Sequence, residues 1–591
     1  MVGFSKIKQL VRWLQVKLTK KQFIILSSVL VGLSAGSAAI VLKTFVHYIF
    51  IAASLNEKFG IPYLYLFLPL VGILLTVLIV KKVLKSKLDK GISPIHYAIA
   101  HKSSIIPREQ MYAQIITSSL TVGFGGSAGL EAPIVVTGAA FGSNYSKAYK
   151  LNYKDRTLLL GCGVAAGIAA AFNAPIAGVL FALEVLLLDV SISAFTPLII
   201  SAATGTLIAK IVLEDDILLS FQLQQAFNYY NVPFYILLGI FAGLVSVYHS
   251  RTFMKVEGIF SKSKNKIWLN AIFGGLLLAA LIFVFPSLFG EGYKSIKILS
   301  LQDAKSLLDG SVLTIYRDKE WFVLLFVGVL IFIKSIATAL TLGSGGNGGN
   351  FAPSLFVGAY VGFFFSRLVN LLGITTLPIS NFTIVGMAGI LSGIYHAPLT
   401  AIFLIAEITG GYTLMIPLMI VSSISYAISK HFEPYSMDTK KLANSGQMFT
   451  NDKDKNILTT IKIANLIEDN FQSVLPTDSL GDLVKIISQS KRNLFPVIDT
   501  NNKLIGIITL DDIREIMFNT DMHSKISVGD LMVVPAAIID SYETMESVMK
   551  KFDETGAWNL PVTTNGVYTG FISKSSVFSS YRTKLITTTI E

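Results

Sequence analysis

Long runs of apolar residues constrain this chain more than any other feature of its sequence. Residues 23–42, 63–80 and 321–333 contain no charged residue, and a helix that crosses a membrane needs about 20 mostly apolar residues. Roughly ten apolar segments of this kind precede residue 432. Charged residues make up only 15% of the 591-residue chain, whereas a soluble protein has about 25%. The sequence therefore predicts an α-helical polytopic membrane protein.

The two ends of the chain differ from this membrane part. In residues 1–20, apolar residues at spacings of three and four are separated by Lys and Arg, which predicts a basic amphipathic helix on the membrane surface. Residues 433–457 are predicted to be a polar linker, and residues 458–591 a soluble domain. The net charge of +12 is attributed to cytoplasmic Lys and Arg, as in residues 81–90, rather than to nucleic-acid binding.

Two blocks of the membrane sequence occur twice. GGSAGLEAPIV at residues 125–135 matches GGNGGNFAPSL at residues 345–355. AGIAAAFNAPIAGVLFALE at residues 166–184 matches GILSGIYHAPLTAIFLIAE at residues 389–407. Because the blocks match in order and at similar spacing, chance is a poor explanation, and both halves derive from one ancestral unit.

The repeats define a membrane domain, residues 21–432, with halves at about 21–215 and 233–432. Repeated halves with Gly- and Pro-interrupted helices are typical of transporters, and such halves are commonly inverted relative to each other. The binding site of such a fold lies where the broken helices meet. The predicted fold is therefore a broken-helix transporter followed by an α/β domain.

The loops GLEAP and GNFAP have the composition of an anion site. Glycine lets backbone amides approach a ligand, and proline suits the first turn of a helix. The start of a helix offers free N–H groups and the positive end of the dipole. Glu131 in the first loop could then occupy the site when ionised and leave it when protonated, as a gate. The alternative is an ordinary acidic residue favoured by the helix dipole.

At these positions the chain resembles the CLC family of chloride channels and proton–chloride exchangers. GLEAP resembles the family's G-[KR]-E-G-P, GNFAP its G-x-F-x-P, and AAGIAAAFNAPIAGVLFALE is close to the family's block. The resemblance covers about residues 20–445 and implies a homodimer with an anion pathway in each subunit. It implies that Glu131 is the external gating glutamate. It also implies that Gly129 and the amides of Asn350 and Phe351 face the central anion.

The first anion loop departs from the family's pattern. The family has G-S-G-I-P, and its Ser hydroxyl faces the anion. Here the region reads DKGISPIHY, and alignment on Pro94 puts Gly91 at the serine position. Ser93 is the candidate hydroxyl, although it is out of register. An ordinary turn before a helix is the alternative.

The inner gate departs as well. The family uses a Tyr of the last membrane helix, and a gapless alignment puts Asp438 at this position. A shifted alignment would use Tyr435, which we favour. Asp438 facing an anion would need a partner such as Lys440 or Lys441. A solvated linker is the alternative for both residues.

The inner proton site of the exchangers is missing. In them a second Glu commonly relays protons, and here that position is Val185, which resembles the channel branch. Some exchangers also lack this Glu, so a proton-coupled chloride antiporter is the alternative to a channel. Export of fluoride or another anion is a further one. Glu184 and its repeat mate Glu407 are expected to be structural carboxylates that meet amides or an Arg.

The soluble tail, residues 466–584, also repeats. NLFPVIDTNNKLIGIITLDDI at 493–513 matches NLPVTTNGVYTGFISKSSV at 559–577, and the pair resembles a tandem of cystathionine-β-synthase (CBS) domains. Many such pairs bind adenine nucleotides, and the matching ribose contacts would be Thr509 and Asp512. The second copy lacks the Asp, so one nucleotide site at most is expected. The alternative is a dimerising cap without ligand.

Other function classes find little support. The sequence has no catalytic constellation and no metal-ligand cluster, so neither an enzyme nor a required cofactor is expected. A cation transporter would need several intramembrane carboxylates, and Glu131, Glu184 and Glu407 are the few candidates. The expected partners are chloride, the lipid bilayer and a second copy. We expect a multi-pass protein of the inner membrane with its N-terminus and CBS domains in the cytoplasm.

Overall fold

The computed structural model describes residues 11, 13–54, 64–186, 194–213, 225–263, 266–444, 458 and 461–590. The chain divides into two compact units, Met1–Met448 and Phe449–Glu591. The first unit is helical, and the second combines helices with short strands.

The described residues of the first repeat form eight α-helices of the first unit. The last short helix begins with Pro175 in its first turn, after Asn173 has ended the preceding helix in a left-handed conformation (φ 54°). This break leaves a second helix start inside the membrane part. The helices are α1 Lys20–Ser54, α2 Leu68–Lys82, α3 Ser93–His101, α4 Gln110–Gly123, α5 Glu131–Ala148, α6 Tyr153–Phe172, α7 Pro175–Phe181 and α8 Phe195–Leu213.

The part of the second repeat that the structure describes also forms eight α-helices, in the same order. Its short helix likewise begins with a proline, Pro398, after His396 in a left-handed conformation (φ 56°). A further short helix, α17 Met437–Asn444, follows the repeat. The repeat comprises α9 Val232–Ser261, α10 Ile267–Val284, α11 Tyr293–Ser300, α12 Glu320–Gly343, α13 Phe351–Leu371, α14 Ile379–Tyr395, α15 Pro398–Ile408 and α16 Met415–Phe432.

Glycines allow the long helices of each half to pack closely. A Cβ on Gly142 of α5 would lie 2.0 Å from the carbonyl oxygen of Leu159 on α6. The equivalent Gly362 of α13 stands in the same relation, 2.0 Å, to the carbonyl of Phe382 on α14. Small residues at such crossings let helix backbones touch, which is the usual packing within membranes. Equivalent helix pairs thus pack in the same way in both halves, as the sequence repeat predicts.

Eight described helices are long and apolar enough to cross a membrane. This agrees with the prediction of a polytopic membrane protein. Of the predicted N-terminal helix, residues 13–17 are helical, and residues 1–10 and 12 lie outside the described residues. The segment predicted as a linker begins with α17, and residues 445–457 lie outside the described residues.

The second unit contains two similar α/β modules, each with its own apolar core. The first has an antiparallel hairpin, β1–β2, and the second has sheet order β3-β4-β5 with β3 parallel and β5 antiparallel to β4. Helices flank both hairpins, as the internal repeat predicts. The elements are α18 Leu480–Gln489, β1 Leu494–Ile498, β2 Leu504–Thr509, α19 Leu510–Ile513, α20 Val528–Leu531, β3 Ile539–Asp540, α21 Met545–Thr555, β4 Asn559–Thr564, β5 Val567–Ser573 and α22 Lys574–Ile590.

Candidate functional site

The two glycine loops are bonded directly to each other. The N–H of Gly129 donates to the carbonyl of Gly349, and the N–H of Gly349 donates to the carbonyl of Gly129, both at 2.8 Å. Helices α5 and α13 begin two residues after these glycines. The loops therefore hold two helix starts side by side at the centre of the membrane unit, the arrangement that favours a bound anion.

Contacts from each half to the other position the loops reciprocally. The N–H of Ser127 donates to Oγ1 of Thr341 at 3.1 Å, and the N–H of Asn347 donates to Oγ1 of Thr121 at 2.9 Å. Each residue is the repeat mate of one in the other pair, with an offset of about 220 positions. Exchange of equivalent contacts is the pattern of a two-fold axis. The two repeats are therefore related by a local pseudo-two-fold that passes between the loops.

Long polar side chains from the preceding helices complete this support. The buried amide of Gln114 on α4 accepts from Asn347 of the second loop at 2.8 Å. Its mate on α12 is Lys334, a fully buried lysine that donates to Ser127 of the first loop at 2.8 Å. The Lys334 ammonium also lies 4.7 Å from the ring centre of Phe356. The side chain that contacts the second loop is a neutral amide and the one that contacts the first loop is a lysine, so the two sides of the site differ electrostatically.

Glu131, the first residue of α5, folds back over its own loop. Its Oε2 accepts from the N–H of Ala352 in the first turn of α13 at 3.3 Å, and its Oε1 accepts from the hydroxyl of Tyr293 at the start of α11. A Cβ added to Gly129 would lie 2.2 Å from Oε2, so glycine is what makes room for the carboxylate. The side chain is 4% exposed. A carboxylate thus lies at the start of the opposite half's helix, where an anion is favoured.

Further charges surround this carboxylate. Glu291, in the turn before α11, interacts electrostatically with Glu131, with Lys43 of α1 and with Lys334 of α12. The ammonium of Lys43 donates to the carbonyl of Ala171 at the end of α6. Two carboxylates and two lysines therefore interact electrostatically on the α11 side of the glycine loops.

The second loop has different neighbours. Asn350 is 5% exposed, and its side chain lies between His249 of α9, at 3.0 Å from Oδ1, and the sulfur of Met437 of α17, at 3.2 Å from Nδ2. The ring of Phe351 packs against Tyr395, with centroids 5.5 Å apart, as well as against two phenylalanines of α6 and α7. The α3 and α17 helices therefore flank the side of the loops away from α11.

Ser93 begins α3 on this second side. Its hydroxyl donates to the backbone carbonyl of Asp438 at 2.5 Å, so the structure commits it to a bond between α3 and α17. Nearby, Lys90 donates to the carbonyl of Gly346 in the second loop at 2.8 Å. A lysine rather than a serine hydroxyl therefore reaches the loop backbone from this segment.

The two inner-gate candidates have contrasting positions. The side chain of Tyr435 is exposed (38%), and the structure does not bring it to the glycine loops. A carboxylate oxygen of Asp438 is buried without a hydrogen-bond partner among the described residues. Lys440 forms an ion pair with Glu433 and Lys441 with Glu257, while the Asp438 carboxylate also interacts electrostatically with Lys441. A lysine partner for Asp438 stays a prediction. The tyrosine that does contact Phe351 is Tyr395.

Val185 and the paired glutamates lie around the short helices. Val185 is buried (7% exposed) in a turn of π-helix that follows α7. Glu184 accepts from the N–H groups of Leu399 and Thr400 at the start of α15, and Glu407 accepts from the equivalent amides at the start of α7. Each glutamate thus caps the short helix of the other half, which is the structural role expected from the sequence.

In the tail, Thr509 and Asp512 bond to each other at the start of α19. Oδ2 of Asp512 accepts from the N–H and the hydroxyl of Thr509, at 2.8 and 2.7 Å. This reciprocal capping box stabilises the helix start. Asp512 is exposed to solvent and Thr509 is partly exposed. Their role toward a nucleotide stays a prediction.

Three residues around Glu131 were not predicted from the sequence: Tyr293, Glu291 and Lys334. Lys334 had a usable signal, because an ionisable residue directly after the apolar run 321–333 is a functional candidate by default. Glu291 and Tyr293 had none, since they lie in a polar turn about 160 residues from Glu131. Among the described residues, no three His, Cys, Asp or Glu side chains are placed to hold a metal ion.

Known proteins resemble the chain over both units. The family described as voltage gated chloride channel matches residues 71–430, and the CBS domain matches residues 463–519. A putative chloride channel protein ClcB-like of Ralstonia nicotianae is 29% identical over 64% of this chain and 86% of its own length. The voltage-gated ClC-type chloride channel ClcB of Escherichia coli is 30% identical over 53% of this chain and 71% of its own length.

Solved structures share the fold. A slow cyanobacterial Cl⁻/H⁺ antiporter superposes with TM-score 0.60 and 22% identity, over 72% of this chain and 98% of that one. A eukaryotic CLC transporter superposes with TM-score 0.60 and 18% identity, over 94% of this chain and 97% of that one. The family consists of channels and transporters rather than enzymes. With its repeated anion loops and a family match over more than half its length, the chain belongs to the voltage gated chloride channel (CLC) family and carries a C-terminal CBS domain.

Proposed function

We propose that the chain carries chloride across the membrane between the GLEAP and GNFAP loops, and that Glu131 is the gate of this pathway. The observation that carries the proposal is the position of the Glu131 carboxylate. It is an anionic group held by the amide of Ala352 and the hydroxyl of Tyr293, which are donors that a chloride ion could use. Ionised, the side chain competes with chloride for these donors, and protonated it loses its attraction to the helix start.

Transport without obligatory proton coupling is the first candidate. Val185 is buried and apolar, and a valine cannot take up a proton at the position where exchangers commonly have a Glu. Proton-coupled exchange is the second candidate, and the observation that favours it is the second carboxylate, Glu291, beside Glu131. A proton could then reach Glu131 from the α11 side without any group at position 185.

The remaining assignments follow from the same pathway. Gly129, Asn350 and Phe351 would line the central anion position, since they belong to the two bonded loops. Ser93 and Tyr435 would contribute only through a rearrangement, because the Ser93 hydroxyl is bonded to Asp438 and Tyr435 is exposed. Lys90 would attract anions toward the second loop.

A homodimer is proposed because of the glutamates on the short helices. Glu184 and Glu407 are only half-buried, and they lie beside exposed apolar side chains such as Ile176 and Leu399. Carboxylates are costly in lipid, so a second copy that covers this surface would shield them. Leu399→Trp, a bulky change on the surface, should lower the dimer fraction measured by subunit counting, and an unchanged fraction would place the interface elsewhere.

The soluble unit and its topology are proposed from the sequence. Adenine nucleotide would bind the CBS pair at Thr509 and Asp512, and the tail would face the cytoplasm of an inner-membrane protein. Protease accessibility of the tail in inside-out and right-side-out vesicles tests the orientation. Cleavage only in right-side-out vesicles would contradict it.

The experiment that tests the gate is chloride flux in liposomes with simultaneous proton measurement. Glu131→Gln should give chloride flux that no longer depends on pH. The matched control is Glu320→Gln, which removes one exposed carboxylate that pairs with Arg367. If the flux of the Glu131→Gln variant still depended on pH, Glu131 would be reduced to a helix cap.

The same liposomes separate the two transport modes. Uphill proton movement driven by a chloride gradient in the wild type would select exchange, and flux without it would select the channel. Replacing chloride by fluoride in parallel measures whether fluoride is the preferred anion.

A further inference from the structure

Glu291 is a buried carboxylate that the gate described above does not use. It lies in the turn before α11, where Gly292 adopts φ 91° and a Cβ would come within 2.5 Å of the Phe356 ring. Oε1 of Glu291 is buried and has no hydrogen-bond partner among the described residues. The turn is bonded to the loop before α5, because the N–H of Gly290 donates to the carbonyl of Gly125 at 2.9 Å, and the carboxylate interacts with the backbone at the start of α5. Glu291 therefore lies beside the start of α5.

The buried Oε1 of Glu291, which has no hydrogen-bond partner among the described residues, indicates a functional role for this carboxylate. Burial of a charged oxygen without a partner is unfavourable, and a bound proton removes most of this cost. The protonated group in turn carries a hydrogen that can be donated. Glu291 therefore has reason to hold a proton, whereas the oxygens of Glu131 already accept hydrogen bonds from Ala352 and Tyr293.

The charges that face Glu291 come from four elements. Glu131 belongs to α5, Lys43 to α1 and Lys334 to α12, while Tyr293 follows in α11 and bonds to Glu131. A proton on either carboxylate removes one of the two negative charges beside Lys43 and Lys334. The loss of that negative charge favours the arrival of an anion at the loops.

We propose that Glu291 stores the proton that opens the gate and passes it to Glu131 when an anion takes the amide donors. In this step the O–H bond at Glu291 breaks and an O–H bond at Glu131 forms, with no other reactant. The proposal rests on the gating role of Glu131. It adds a second proton-binding residue and places the supply of protons on the α11 side of the loops.

The pH dependence of flux tests this storage. With Glu291→Gln the proton must bind Glu131 directly, against its two hydrogen-bond donors, so opening requires a lower pH. We expect the pH of half-maximal flux to fall by about one unit, which is the scale on which neighbouring carboxylates perturb each other. Lys43→Met removes a positive charge that opposes protonation of both carboxylates, so it should move the midpoint in the opposite direction, to higher pH.

Two further variants exclude trivial explanations. Glu291→Asp keeps the carboxylate and should stay close to the wild type, whereas a general packing defect would affect it too. Glu320→Gln removes a remote, exposed carboxylate and should leave the midpoint in place. All variants are compared as full-length protein in the same liposomes, with chloride as the anion.

The outcomes separate this proposal from the gating role itself. A midpoint that is unchanged in Glu291→Gln, while Glu131→Gln has lost its pH dependence, would overturn proton storage and leave the gate intact. If Glu131→Gln keeps its pH dependence, the gate fails first. Equal shifts in Glu291→Gln and Glu291→Asp would also overturn the proposal, because position rather than charge would then matter.

Discussion

Removal of one hydroxyl from the gate gives the sharpest prediction. Tyr293→Phe deletes the donor to Oε1 of Glu131 and keeps the ring that α11 buries. A hydrogen bond to a charged group contributes about 1.5–3 kcal/mol, and one pH unit corresponds to about 1.4 kcal/mol. Because the Ala352 amide still holds Oε2, we take the lower end, about one pH unit.

The sign follows from which form the hydroxyl stabilises. It donates to the ionised carboxylate, so its loss favours the protonated form and the open gate. The midpoint of pH-dependent chloride flux should therefore rise by about one unit, and flux at a fixed pH on the rising limb should increase by up to about tenfold. This direction is opposite to the one expected for Glu291→Gln.

The assay is chloride efflux from liposomes over a series of pH values. The control is Tyr235→Phe. Tyr235 is a buried tyrosine of α9 whose ring stacks on that of Phe382, with centroids 4.3 Å apart. The flux midpoint of this variant should equal that of the wild type. A Tyr293→Phe midpoint equal to that of the wild type would show that this hydrogen bond does not hold the gate. A lower midpoint would reverse the assignment of donor and acceptor.

Three further predictions concern helix caps and the tail. Glu407→Gln weakens the cap on two backbone amides at the start of α7. It should lower the free energy of unfolding by about 1–3 kcal/mol, measured by thermal unfolding in detergent. An unchanged free energy of unfolding would contradict the capping role. AMP, ADP or ATP should raise the melting temperature of the CBS unit. Asp512→Ala should reduce this shift, because the carboxylate that would accept hydrogen bonds from the ribose hydroxyls, beside Thr509, is lost. No shift with any of the three nucleotides would favour a structural cap. Burial is the largest single effect on the pKa of Glu543 and acts to raise it, but the hydrogen bonds from Lys551, from the Asp540 backbone and from Ser547 together outweigh burial and hold this pKa below its usual 4.5. This contribution to tail stability is therefore present above pH 4.5 and is lost as the pH falls through the lower folded value. Lys551→Met should reduce the contribution, and an unchanged acid-unfolding profile would refute the pairing.

Much of this protein is fixed by local sequence. In lipid, an apolar run of this length can satisfy its backbone hydrogen bonds as a helix. The Gly and Pro positions of the two loops determine where α5 and α13 begin. Glu131 could be identified from the sequence because its chemistry conflicts with its apolar surroundings. The repeat itself also predicted that equivalent residues of the two halves would meet.

Only the tertiary structure decided which distant side chains surround that carboxylate. Tyr293 bonds to Glu131, and Glu291 interacts with it electrostatically, because the packing of the two halves brings the α11 turn to the first loop. Nothing in the local pattern of that turn encodes this. The same packing bonds Ser93 to α17 and leaves Tyr435 exposed. Local spacing specifies helix starts and buried faces, whereas contacts between residues far apart in sequence depend on how whole helices pack. The gate residue can therefore be predicted from the sequence, whereas its hydrogen-bond partners depend on how the two halves pack.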